Sequence, residues 1–494
     1  MHKPMIFGIG MLIMLAGASL AFAQWSEPVR ISEYHLQIPR AVAVGDTLHV
    51  VASAAHFQYI RSVDGGLSWV GLPTPADSFY AADMPDIIYS KGRLHLLWIG
   101  YILAPWQYHM YHCSSSDGGT TWSVPHRVFR NASLYLNYPR LAANGDTLFG
   151  SCAISQRYLS FRSFDAGAAW QDSTVVEPGP STIAYWQTPL VSGSRLLMVY
   201  ELGSVSESLG FEIYYRYSDD WGLNWSDRIT LSTPEPIPDY RHSLDPSAYA
   251  DENGNIVVAW FDYKYGSYCG FSGDILARIS RDSGSTWEAE RRLIYTQSGE
   301  ASSCLIWNDT IYVVWMDDYP VGCTHPKICY SASGDWGEYW GWPQVISGME
   351  PVGDLDPFIF RGPDEEDSVF HCVFRSHRDF EESYIYYMRG RPEVSAIEDE
   401  EPQIPDEISI VAYPNPFSTS ITVEYRSRGR AGLKIEIFDI NGRRVRTFDA
   451  GGQKGGRLTW DGSGEAGGKL ASGIYLLRGK TSDGSQMLRL LFLR

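Results

Sequence analysis

Apolar residues along this chain fall into short, nearly unbroken runs separated by polar, glycine-bearing turns, with little helical spacing between them. The runs at 94–99, 256–261 and 311–316 are the clearest. A continuous run of this length, bounded by turn residues, predicts a strand covered on both faces. Before each such run stands another strand that opens at or near a proline. Counting these openings, near Pro39, Pro85, Pro139, Pro189, Pro246, Ala301 and Pro357, gives seven units, with six the alternative count. At 494 residues the chain is too long for one ordinary core, and its 17 Trp, 31 Tyr and 47 Gly suit strands and turns, so an all-β modular array is expected. The apolar stretch 6–22 lies apart from this pattern. With Lys3 before it and Ala21-Phe22-Ala23 ahead of Gln24, residues 1–23 read as a secretory signal peptide. No other stretch is apolar for long enough to span a bilayer, so no transmembrane segment is expected in the mature chain.

A second periodicity organises the units. Six segments follow SxDxGxTW or a close variant, at 62–69, 115–122, 163–170, 218–225, 280–287 and 333–340. Their tryptophans recur about every 50 residues, the length of one four-stranded propeller blade. In such a turn the aspartate caps nearby backbone amides, the glycine takes a left-handed conformation, and the tryptophan ring packs beneath. Asp64, Asp117, Asp165, Asp220, Asp282 and Asp335 are therefore read as structural. These repeats resemble the Asp boxes (BNR repeats) of the sialidase-like β-propeller superfamily, and the resemblance covers most of 25–391. The outer strand after each Trp also recurs, and a copy stands at the mature N-terminus as Trp25-Ser26-Glu27-Pro28. The last unit has no box. The N-terminal strand is expected to complete that last blade and close the ring, leaving no open sheet edge.

The propeller is assigned to 24–391. An acidic, proline-containing stretch at 392–407 reads as a linker, and 408–494 alternates strand-like runs with Gly-rich turns as a small immunoglobulin-like sandwich would. Tyr413-Pro414-Asn415-Pro416-Phe417, Trp460-Asp461-Gly462, Ser472-Gly473-Ile474-Tyr475 and the apolar end resemble the type A sorting domain of the Bacteroidota type nine secretion system. That resemblance implies passage across the outer membrane, removal of the tail and attachment at the cell surface, with the secretion machinery as a partner. Its Trp-Asp-Gly element is also similar to immunoglobulin-like modules that stay on other exported bacterial proteins.

The net charge of −18 argues against nucleic acid as a partner and suits an extracellular solute. Of seven cysteines, Cys323 and Cys329 flank a short loop and are the expected disulfide, while Cys113, Cys152, Cys304 and Cys372 sit in apolar runs as thiols. No spacing proposes a metal site, and no cofactor is expected.

Chemistry is sought where inner strands begin, because these ends and the loops after the second strands open on one face around the central funnel, opposite the boxes. Just before three inner strands stand Asp245, Glu300 and Asp356, and second-strand ends add Glu201, Asp262, Asp317 and Asp318. Arg40, Arg140 and Arg375 supply cations. Loops on this face carry Tyr101, Trp106 and Tyr108, then Tyr263, Tyr265, Tyr268 and Phe271, then Tyr319. Rings and carboxylates together fit a glycan site, whereas rings packed among themselves would only order the loops. Retaining sialidases hold the substrate carboxylate with three arginines, the first before an Ile-Pro pair. Gln37 stands there instead and lacks the cationic fork. The leading expectation is thus an exported or cell-surface module binding a glycan or surface protein through the funnel. A glycoside hydrolase using a pair among Asp245, Glu300, Asp356 and Asp262 is the alternative, and a structural or adhesive protein with a plugged funnel is the third.

Overall fold

In a computed structural model of the chain, residues 24–391 and 408–493 are described apart from short internal segments, the longest being 234–241, 264–272, 318–324 and 363–368. The expected signal and linker lie outside the described residues. Every element among the described residues is a strand. Between Gln24 and Arg391 they form six antiparallel sheets, one of them seven-stranded. That large sheet is two blades, because Arg291–Trp307 runs on from the outer edge of one into the inner edge of the next: Gly273 pairs with Gly299, and Met316 with Glu300. Seven blades result, as the inner-strand count requires. The chain is an all-β propeller followed by a second, smaller sandwich.

The ring closes through its own N-terminus. Gln24–Trp25 and Val29–Arg30 both pair with Tyr384–Arg391 of the last blade, and the Ser32 hydroxyl accepts the Ile385 amide at 2.9 Å. Trp25 lies over Gly390, where a β-carbon would come within 2.6 Å of its ring. Trp25→Ala should lower the unfolding free energy by about 2 kcal/mol, the lower side of the large-to-small range because the ring is only partly buried. The urea midpoint checks this, with Val124→Ala, at a 79% exposed site, as the unshifted control.

In all six repeated turns the box serine hydroxyl donates to the box aspartate and accepts the amide of the glycine four residues on. In the first, the Leu67 and Ser68 amides donate to Asp64 Oδ1 at 3.0 and 2.9 Å, and the Ser62 hydroxyl donates to the same oxygen while accepting the Gly66 amide at 2.8 Å. Hydrogen bonds led by the Ser68 hydroxyl pull the Asp64 carboxyl down to about 2, and Asp117 and Asp220 follow for the same kind of reason. The box tryptophans are half-buried rather than fully covered. Apolar clusters form between adjacent blades, as where Val257 and Ile275 meet Ile306 and Val313, so each blade is one wall of two cores.

The tail forms a three-stranded and a four-stranded sheet around a separate core holding Ile421, Ile435, Trp460, Leu477 and Phe492. Cys113, Cys152, Cys304 and Cys372 are buried thiols. So is Cys329, which corrects its expected disulfide; Cys323 lies outside the described residues.

Candidate functional site

Six of the seven inner strands open with the same irregularity. Ile38, Met84, Tyr138, Asp245, Ala301 and Asp356 all take positive φ, between 41° and 52°, and five of them precede a proline. At each the pairing register skips, as between Leu244 and Ser247 or between Leu355 and Phe358. These are β-bulges, which bend a strand and re-aim a side chain. A non-glycine residue at positive φ is unfavourable, most of all the β-branched Ile38, so six equivalent cases mark a built feature of the rim. Only the fourth blade, with Gln187–Ser192 in unbroken register, lacks it.

Four of the bulges, at Ile38, Asp245, Ala301 and Asp356, line a cavity of about 360 Å³ whose wall also includes Arg40, Trp186 and Phe358. The Trp186 ring is stacked on that of Tyr138, 4.1 Å away, and the Arg140 guanidinium stands 5.8 Å from it. The same wall carries the carboxyl groups of Asp245 and Asp356. Burial together with the charge of Asp356 pushes the Asp245 carboxyl up to about 7. Beneath it lies Glu201, 1% exposed, which accepts the Asp245 amide at 2.7 Å and is pushed up by burial and then by Asp245. Asp356 forms an ion pair with Arg375 at 2.9 Å. Arg40 is lowered to about 9 by burial and then by Arg140; the buried Asp86 lies near both arginines and accepts the Leu141 amide at 2.7 Å.

Several expected residues fall elsewhere. Asp262 and Asp317, 3% and 2% exposed, do not face the open funnel. Asp262 accepts from the Trp260 indole at 3.3 Å and the Ser243 hydroxyl at 2.7 Å, and Asp317 accepts from the Trp315 indole at 3.0 Å. Residues two apart on a strand share a face, so each acid meets its own tryptophan. Tyr101 and Tyr108 pack on each other at 4.8 Å, and Tyr263 packs against Phe261 at 5.3 Å, the loop-ordering arrangement. Glu300 and Trp106 lie within strands, but their side chains are outside the described residues, as are Asp318, Tyr265, Tyr268, Phe271 and Tyr319. Sequence reading passed over Tyr138, Trp186 and Asp86. Tyr138 was recoverable, because it precedes Pro139 just as Asp245 and Asp356 precede theirs. Among the described residues no group of three or more His, Cys, Asp or Glu could hold a metal ion.

The FlgD Ig-like domain family matches residues 417–485. No curated protein matches the chain in sequence. Among solved structures, a polysaccharide lyase of family PL25, an ulvan lyase bound to a GlcA(1-4)Rha3S saccharide, is similar with a TM-score of 0.53 at 10% identity, covering 74% of this chain and 96% of that one. An α-L-arabinofuranosidase from Fusarium graminearum gives a TM-score of 0.47 at 12% identity over 74% and 98%. An α-L-arabinanase from Penicillium chrysogenum gives 0.44 at 14% over 74% and 98%. At such identities the likeness is one of fold.

Proposed function

We propose that the chain is an exported protein whose funnel binds a glycan. The observation that carries this is one open cavity lined by the Trp186 ring, on which Tyr138 stacks at 4.1 Å, together with Asp245 and Asp356. A sugar ring has an apolar face and a hydroxyl edge, and such a site offers a partner to each. Among the described residues the funnel holds an open cavity of about 360 Å³, which speaks against a purely structural propeller. Export rests on the signal-like start, and delivery to the cell surface rests on the resemblance of the tail to sorting domains. The six boxes support the sialidase-like superfamily, while Gln37 weakens sialidase activity itself.

A glycan array probed with the chain from Gln24 onward tests the reading. At least one glycan should bind, and Trp186→Ala should weaken it at least tenfold, about 1.4 kcal/mol, with folding unchanged by circular dichroism. Silence across broad neutral and acidic panels overturns the proposal.

A further inference from the structure

We infer that the funnel also hydrolyses its glycan, with Asp245 as the general acid and Asp356 as the general base. This rests on the glycan-binding reading above. Both side chains line the same cavity from different blades, each re-aimed by an equivalent bulge at φ 51°. Their surroundings differ. Asp356 is ion-paired with Arg375 at 2.9 Å. Among the described residues no cation pairs with Asp245, and the group beneath it is another buried carboxyl, Glu201. Burial and the Asp356 charge keep the Asp245 proton to about pH 7. Two carboxyls in one cavity, one ion-paired with an arginine and the other set against a buried carboxyl, are the unlike pair that acid/base hydrolysis uses. Among the described side chains, the strand between them lines the cavity near its start with the small Ala301 and Ser302.

The step balances. Asp245 gives its proton to the glycosidic oxygen as the bond from that oxygen to the anomeric carbon breaks. Asp356 takes a proton from the water whose oxygen bonds to the same carbon from the opposite face, so the product anomer is inverted. One water is consumed, and exchange with solvent moves the proton back from Asp356 to Asp245. Glu201 from the adjacent blade, Tyr138 from the blade beyond it, and Arg40 in the same cavity wall are the other ionisable groups around Asp245.

The test uses the chain from Gln24 onward with any array-positive glycan and with a panel of 4-nitrophenyl pyranosides and furanosides. Expected are reducing-end or 4-nitrophenol release, a first product of inverted anomeric configuration by proton NMR, and a kcat that falls above about pH 7 as Asp245 ionises. Asp245→Asn and Asp356→Asn should each lower kcat at least a thousandfold, with glycan binding kept within a few fold. The pH profile and product anomer need no variant, so a misfolded variant does not stall the test. Array binding without release from any substrate overturns the inference and leaves the binding reading standing; neither binding nor release defeats both. Retained configuration, or full activity in Asp245→Asn, overturns the assignment of roles.

Discussion

Gly119→Ala is expected to destabilise the propeller by about 4 kcal/mol or more, while Gly118→Ala next to it costs about 1 kcal/mol. Both glycines have positive φ, 68° at Gly118 and 77° at Gly119, so the backbone penalty is nearly the same. What differs is the space. Nothing lies within 4 Å of a β-carbon added at Gly118, whereas one at Gly119 would sit 1.9 Å from the hydroxyl and 2.7 Å from the ring carbon that carries it on Tyr59. Tyr59 belongs to the preceding blade and is 1% exposed, with His49 bonded to its hydroxyl at 2.7 Å, so it has nowhere to swing. Urea midpoints of the two variants at equal m-value make the comparison. Equal losses would show that the glycine is needed only for its dihedral angle.

The same contact recurs around the ring. Tyr387 reaches Gly66 and His112 reaches Gly167, each with a ring or hydroxyl atom within 2.2 Å of where a β-carbon would stand, and the Tyr215 hydroxyl donates to the Gly284 carbonyl at 3.0 Å. Tyr59, His112 and Tyr215 each stand three residues ahead of their own box serine, and each plugs the turn of the next blade. The box therefore joins blades as well as stapling its own hairpin, and damage to one turn is felt on both sides of a blade interface.

This division explains what the sequence could disclose. Blade count and ring closure follow from repeats a few residues long, Trp25-Ser26-Glu27-Pro28 among them, and short repeats are visible without coordinates. Asp245 and Asp356 were legible because a proline marks where each inner strand begins. Asp262 and Asp317 stand in equally suggestive places, yet a two-residue offset from a tryptophan decides their fate, and only the hydrogen-bond geometry reveals it. Trp186 was hidden for the opposite reason: it lies in the one blade without a bulge, and it lines the cavity while stacking on Tyr138 of the neighbouring blade. Contacts between units carry no signature in either unit alone.

Acid should loosen the propeller well above the pH at which its carboxylates titrate. His49, His95 and His112 are each 1% exposed, and burial, the largest cause for all three, lowers them to about 4, about 4 and about 3. His95 Nδ1 and His112 Nε2 lie 3.2 Å apart, an arrangement that tolerates two neutral rings and resists two charged ones. In the unfolded chain these histidines protonate near 6.5. Between that pH and about 4 the unfolded state therefore binds more protons than the native state, so native stability is complete above about 6.5 and is lost as pH falls through this window. A shift from 6.5 to about 4 corresponds to about 3 kcal/mol for a single histidine. Asp64, Asp117 and Asp220 act lower: held at about 2, their stabilisation is complete above the ordinary carboxyl range and is lost as pH drops toward 2. Urea midpoints at pH 7.5, 5.5 and 4.5 should thus fall steadily. His112→Tyr isolates the cause, because blades one and seven already hold a His–Tyr pair at the equivalent place, His49 with Tyr59 and His371 with Tyr387. That variant should keep the inter-blade plug while removing one titrating ring and relieving the other of a like-charged neighbour, so its midpoint should fall less over the same range. A wild-type midpoint that stays level from pH 7.5 to 4.5, or a His112→Tyr slope equal to wild type, would mean that protons reach these rings without opening the blades.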